Sequence, residues 1–242
     1  MKSLNMHKIW WKIDILIAIL CLILIEVPNH PVSALAIVFV SPTGSGVADC
    51  SQSAPCTLST GLTTVDTGGT LYAAAGTYSA ISGNEVVLLD KAINFYGGWN
   101  GAASGTPYRD PATNVSILDG GDARRVITAA GFTGQAQIDG FTIHNGNATG
   151  KVALCSATNA AGCGGGILVS GGKTTIEHCI IEDNVASTTT DATYRIGYGG
   201  GIYIQNAGTL GVMIQNNIIR YNDASTAATC GTLAITGKDC TR

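Results

Sequence analysis

The chain has 242 residues, a formal net charge of −3 from 13 basic and 16 acidic side chains, 32 glycines and 45% hydrophobic residues. No basic stripe runs through it, which disfavours nucleic acid and an anionic membrane surface as partners. Low charge with abundant Gly, Thr, Ser and Asn suits an extracellular β-structure.

Residues 1–36 read as a targeting segment. Lys2, Lys8 and Lys12 give a basic start, residues 13–25 are apolar except for Asp14, and Ser33-Ala34-Leu35-Ala36 places small residues at a cleavage site. That is the layout of a secretory signal peptide. The alternative is an uncleaved anchor, but the apolar run falls short of the ~20 residues that span a bilayer. No later stretch is apolar enough to cross a membrane, so no span is expected after cleavage.

Residues 37–78 read as an N-terminal cap and first strand. Phe39-Val40-Ser41-Pro42-Thr43-Gly44 leads into a loop between Cys50 and Cys56, and residues 70–75 form a strand that ends at Gly76-Thr77-Tyr78. A repeat protein needs such a cap because its first repeat exposes apolar surface and a free strand edge. Further strands are expected at 86–89, 93–96, 115–118 and 126–129, and no helical periodicity follows the first forty residues or so. Residues 99–114 lack periodicity and read as a side loop. Its Trp99, Tyr108 and Arg109 are candidate contacts to a sugar ring, although packing onto the sheet is the commoner role for such aromatics.

Residues 164–222 contain one phrase twice. Gly164-Gly165-Gly166-Ile167-Leu168-Val169 leads to Ile176-Glu177-His178-Cys179-Ile180-Ile181-Glu182-Asp183-Asn184. Gly199-Gly200-Gly201-Ile202-Tyr203-Ile204 leads to Ile214-Gln215-Asn216-Asn217-Ile218-Ile219-Arg220-Tyr221-Asn222. A small insertion before Ile214 separates the halves of the second copy slightly further, and a fainter copy begins one period upstream at Ile138. A period of roughly 35–40 residues indicates a solenoid or array. Short β-branched runs broken by Gly, Asn and Asp read as strands and turns. A repeat of this length fits one coil of a parallel β-helix, with coils about 4.8 Å apart. The glycine triplets should supply tight corners. Asn184 and Asn222 close equivalent strands and tolerate the left-handed conformation, and they either form a stacked amide ladder or serve as ordinary turn residues. The coils occupy 79–242 and look incomplete at the C-terminal end, where a strand beginning at 232–236 stops almost at once.

Seven cysteines follow the targeting segment. Cys50 with Cys56, Cys155 with Cys163, and Cys230 with Cys240 each flank a short loop and make three candidate disulfides, as export to an oxidising compartment allows. Cys179 is left over and should pack as a small buried hydrophobe. With no CxxC or HxxxH spacing, a cysteine metal site is disfavoured.

The GGGI…IxxN pattern resembles the repeats of bacterial polymorphic outer-membrane proteins and their relatives among right-handed parallel β-helix, pectate-lyase-like proteins. Those repeats carry Gly-Gly-Ala-Ile and Phe-x-x-Asn; this chain has Gly166 and Gly201 in place of Ala, and Ile181 and Ile219 in place of Phe. Ala75-Gly76-Thr77-Tyr78, Tyr96-Gly97-Gly98-Trp99 and Ile117-Leu118-Asp119-Gly120-Gly121 are similar to the opening coils of secreted bacterial β-helix proteins. The resemblance covers roughly residue 38 to the end. It implies an all-β, right-handed parallel β-helix solenoid at the cell surface or secreted, acting as a scaffold for adhesion or glycan contact without catalysis. It also implies two alternatives. One is a polysaccharide lyase or hydrolase acting on acidic polysaccharides with calcium, and the other is a stalk for a missing C-terminal domain.

The lyase alternative would need carboxylates to hold calcium and a basic residue to take a proton. The repeat register aligns Asp139 with Glu177, both expected to point outward from neighbouring coils about 5 Å apart, where they repel unless a cation joins them. Calcium is therefore the candidate cofactor and Asp139 with Glu177 its candidate ligands; Gln215 follows in the same column. In another column, Glu182 beside Arg220, after His144, reads as a surface ion pair. Asp119, Asp122, Arg124 and Arg125 form a charged corner whose aspartates turn chemistry explains. Beyond the targeting segment only His144 and His178 remain for acid–base work, and no GxSxG or phosphate loop is present.

Overall fold

The computed structural model describes residues 37–47, 49–80, 83–155, 160–190, 196–205 and 211–226. The targeting segment 1–36, the expected strand at 232–236 and the Cys230–Cys240 pair lie outside the described residues. The first part of the described chain holds β1 (Ile37–Ser45), a short helix α1 (Leu58–Thr64), β2 (Thr70–Ala74), β3 (Gly76–Ser79), β4 (Glu85–Leu89), β5 (Asn94–Trp99) and β6 (Ser116–Asp119). Next come β7 (Arg125–Ala130), β8 (Gln135–Asp139), β9 (Phe141–His144), β10 (Ala160–Cys163), β11 (Ile167–Ser170) and β12 (Lys173–Glu177). The last are β13 (Ile180–Glu182), β14 (Ile196–Tyr198), β15 (Ile202–Gln205), β16 (Val212–Gln215) and β17 (Ile218–Arg220).

The fold is mostly β, and its sheets are parallel. One sheet has the order β1-β2-β5-β8-β12-β16, a second β3-β6-β9-β13-β17, a third β4-β7-β11-β15, and a short fourth pairs β10 with β14. Each strand therefore bonds to the strand that occupies its place in the preceding repeat. The register makes this concrete: Ile138 faces Ile176, which faces Ile214, and Ile143 faces Ile181, which faces Ile219. Because side chains alternate across a strand, one row of each sheet points inward. Leu71, Phe95, Ile138 and Ile176 form such a row in the first sheet, Ile143 and Ile181 in the second, and Val87, Ile127 and Ile167 in the third, all fully buried. The strands expected at 86–89, 93–96, 115–118 and 126–129 lie within one residue of β4 to β7 at most boundaries.

The turns repeat with the same period. Gly140, His178 and Asn216 all have positive φ, and so do Asn145, Asp183 and Tyr221. The left-handed residue therefore immediately precedes Asn184 and Asn222. Their role is the amide ladder. Asn184 Nδ2 donates to Asn222 Oδ1 (2.9 Å), to the Ile143 carbonyl (2.9 Å) and to the Glu182 carbonyl (2.9 Å), and Asn184 Oδ1 accepts from Gly146 N (2.8 Å). Asn222 repeats the arrangement, donating to the Ile181 and Arg220 carbonyls. A second asparagine, Asn217, does the same one turn earlier, accepting from Cys179 N and donating to the Ile176 carbonyl. These bonds satisfy turn amides and carbonyls that would otherwise be buried unpaired.

The glycine triplets divide their labour. Gly164 and Gly199 take the left-handed conformation. Gly165 and Gly166 instead permit close stacking, since a Cβ on Gly166 would lie 2.6 Å from the Gly201 carbonyl oxygen.

Three features depart from the sequence reading. First, α1 is a helix where none was expected. Thr57 caps it by accepting from Thr60 N, Leu58 and Leu62 pack against the core, and the Lys91 ammonium donates to the Leu62, Thr63 and Val65 carbonyls at its C-terminal end. So short a segment carries no periodic signal, and burial against β1 replaces intrinsic helix stability. Second, Arg125, read as part of a charged corner, is buried. Its guanidinium donates to the Cys163, Gly164 and Lys151 carbonyls and to Thr128, and burial lowers its pKa to about 10. Third, Trp99 ends β5 rather than starting a loop.

The disulfides Cys50–Cys56 and Cys155–Cys163 are both formed, which fits an oxidising environment such as the cell exterior. Cys179 is a free, buried thiol whose pKa burial raises to about 12. Among the described residues no helix is long and apolar enough to cross a membrane.

The ladder predicts unequal costs for equivalent substitutions. Asn184→Ala removes the acceptor of the Gly146 amide in the interior, so about 2 kcal/mol of stability should be lost, or roughly 4–8 °C in Tm for a chain of this size. Asn222→Ala, at a less buried level, should cost less than half as much. Thermal unfolding of the two variants followed by circular dichroism checks the ranking.

Candidate functional site

The outward row of the six-stranded sheet carries the chemistry. Reading across the strands in register, Phe39, Tyr72, Tyr96, Asp139, Glu177 and Gln215 occupy one column. The adjacent outward column is Thr70, Asn94, Gln137, Thr175 and Met213. Each position follows from alternation: each residue of the first column succeeds one of the inward row, as Asp139 succeeds Ile138 and Glu177 succeeds Ile176. Stacking makes neighbours of residues one repeat apart in sequence. The Tyr72 and Tyr96 rings lie 5.7 Å apart, the Tyr96 hydroxyl donates to Gln137 Oε1 (3.0 Å), Gln137 Nε2 donates to Glu177 Oε1, and Gln215 Nε2 donates to Glu177 Oε2 (2.6 Å). Partial burial raises the Tyr96 phenol above its ordinary pKa.

Loop 100–114 folds down beside this row. Gly140, at φ 80°, provides the seat: a Cβ there would lie 2.7 Å from Pro111 Cγ and 2.9 Å from Arg109 Nη2. Arg109 then reaches over Asp139. Its Nη1 donates to Asp139 Oδ2 (3.2 Å), Nη2 to the Asp139 carbonyl (3.0 Å) and Nε to the Gly97 carbonyl (2.8 Å), while its guanidinium sits 4.3 Å from the Tyr96 ring centroid. On the other side, His178 Nδ1 lies 3.3 Å from Asp139 Oδ1. The His178 side chain is half exposed. Arg109, Asp110, Pro111, Ala112, Asp139, His178 and Ile180 enclose an open cavity of about 530 Å³.

The candidate residues therefore part company. Trp99 is fully buried against Phe39 and Ala74, so it is corrected from a possible sugar contact to a packing residue. Arg109 is corrected from a free ligand contact to a positioning residue, because three of its donors are already engaged. Tyr108 is exposed. Asp139 and Glu177 are neighbours in register, as the repeat alignment expects. Asp139 is nonetheless almost fully covered, and the positive charge that lies on it is Arg109, so the two are not a bare pair of carboxylates. Asp139, Glu177 and His178 each offer a ligand atom within 4.8 Å of the other two.

Elsewhere, Glu182 and Arg220 form the expected exposed ion pair at 2.7 Å, with His144 in register beside Glu182. Asp119 accepts from Gly121 N (2.8 Å), as turn chemistry predicts. The sequence reading missed Tyr72, Tyr96 and Gln137 as members of the site, and missed the contacts of Asp139 with Arg109 and His178. Extending the repeat register upstream of Ile138 would have found the tyrosines. Nothing in the sequence signals that loop 100–114 brings Arg109 back onto β8.

Arg109→Ala should uncover Asp139 and unseat the loop. The pair is largely shielded from water, so about 2–3 kcal/mol of stability should be lost. Arg220→Ala, which breaks an exposed pair, should leave stability unchanged within error. Urea unfolding midpoints of the two variants make the comparison.

Comparison of the chain with protein-family models, with curated proteins and with solved structures finds no match.

Proposed function

We propose that the chain is an exported right-handed parallel β-helix that serves as a cell-surface or secreted scaffold and contacts glycans through the outer face of its six-stranded sheet, without catalysis. The observation that carries this reading is the in-register row Tyr72, Tyr96, Glu177 and Gln215, with Asn94 and Gln137 in the adjacent column. Aromatic faces stack on the apolar faces of sugar rings, and amides and carboxylates bond hydroxyls. Strand spacing repeats these groups at about 4.8 Å, a period suited to a polymeric ligand. The β-helix itself is supported by parallel pairing of the described strands with their counterparts one repeat away. Export is supported by the basic, apolar and small-residue zones of residues 1–36 and by the two disulfides.

The lyase alternative has weaker support. A groove for acidic sugar chemistry calls for several carboxylates and a free basic residue. The cavity beside His178 is lined by Asp110 and Asp139, and its arginine is engaged.

Affinity electrophoresis of the whole chain through neutral and acidic polysaccharides tests the proposal. Retardation is expected with at least one polymer, and Tyr96→Ala should weaken it about 3- to 10-fold, the worth of one aromatic contact. In parallel, ultraviolet absorbance should stay flat with uronate polysaccharides, with or without calcium. Growth of that absorbance, lost in Asp139→Ala, would establish a lyase instead.

A further inference from the structure

We propose that Asp139, Glu177 and His178 form a binding site for one divalent transition-metal ion of the zinc class, open to the cavity under loop 100–114. The three come from two adjacent strands and the turn that follows the second. Asp139 ends β8, Glu177 ends β12 opposite it, and His178 occupies the left-handed turn position next in sequence. One nitrogen and two oxygen ligand atoms lie within 4.8 Å of one another.

The geometry suits a small tetrahedral ion. Zinc binds nitrogen and oxygen at about 2.0–2.2 Å, so its ligands stand roughly 3.3–3.6 Å from one another. His178 Nδ1 and Asp139 Oδ1 are already 3.3 Å apart. Glu177 is only partly buried, and a metal would take one of its oxygens from the glutamine amide that now holds it, the other glutamine keeping the carboxylate oriented. The fourth position faces the cavity lined by Asp139 and His178.

The surroundings resemble a ligand-orienting shell. Arg109 Nη1 donates to Asp139 Oδ2 and its Nη2 lies 3.2 Å from Oδ1, so the guanidinium fixes the whole carboxylate, while Gln137 and Gln215 each donate to a different oxygen of Glu177. Outer bonds of this kind fix the direction of metal-bound carboxylates. The same features count against calcium. Calcium takes six to eight oxygens at about 2.3–2.6 Å, whereas this site offers two carboxylates, one of them paired with a guanidinium, and an imidazole, a donor that suits zinc, copper and nickel. Cys179 is not a ligand, for its sulfur turns inward onto the Glu177 and Ile138 carbonyls.

Isothermal titration of the metal-free whole chain with zinc chloride, and separately with calcium chloride, tests the site without any glycan. Its outcome is therefore independent of the glycan reading. One equivalent of zinc should bind and calcium should give no heat. His178→Asn should weaken zinc at least 10- to 100-fold. Asparagine is chosen because Asn216 holds the equivalent left-handed position, at φ 55°, so the backbone is preserved, and an unchanged circular dichroism spectrum verifies this. Glu177→Gln keeps the shape of the side chain and should weaken zinc as well. Absence of zinc binding, equal affinity in His178→Asn, or calcium binding as tight as zinc would each overturn the proposal. Equal affinity would point to thiols elsewhere in the chain.

Discussion

Everything described here depends on in-register parallel stacking. Among the described strands from β3 onward, ladder partners come from the repeat before or the repeat after, not from the neighbouring strand in sequence. Backbone pairing at this separation forces like residues into columns. Isoleucine stacks on isoleucine in the interior, and asparagine on asparagine at the turn. A single insertion would shift every side chain on a strand to the opposite face. The chain therefore places its length variation in loops, between β9 and β10 and between β15 and β16 for instance, and keeps the strands and their turns constant.

The amide ladder is the polar counterpart of the apolar stack. A turn between two strands of a stacked repeat leaves backbone groups pointing into the interior, where water cannot reach them. Asn184 satisfies groups from the level before it and from its own level, and receives the same service from Asn222. The left-handed residues Asp183 and Tyr221 aim these asparagines inward. The capped N-terminal side, where α1 lies on the core, contrasts with the level of β16 and β17. There Ile214 and Ile219 are 40% and 49% exposed, although their counterparts Ile176 and Ile181 are fully buried.

The same stacking that builds the core also builds the outer face. Columns on the outside bring together residues whose chemistry sums: two tyrosines, then two acids flanked by glutamines. Like charges in a column repel, and the chain relieves this locally. Arg109 covers one acid and two amides hold the other. A loop inserted between β5 and β6 supplies the arginine, so the repeat provides the platform and the insertion modifies it.

The sequence by itself determined the parts that repeat. The offsets between its copies located the strands and aligned Asp139 with Glu177, and short loop spacing paired Cys50 with Cys56 and Cys155 with Cys163, because periodicity and spacing are local properties of the chain. It also offered the amide ladder as one of two roles for asparagines one period apart. Tertiary structure alone decided what does not repeat. Arg109 meets Asp139 through a loop with no periodic signal, Trp99 is buried against Phe39 rather than left free on the surface, Arg125 is drawn inside by carbonyls of a disulfide loop, and the segment after Thr57 becomes a helix because it has a core to pack on. In each case the deciding energy is a contact between segments distant in sequence. Pattern alone cannot reveal it, because the partner is chosen only when the sheets close.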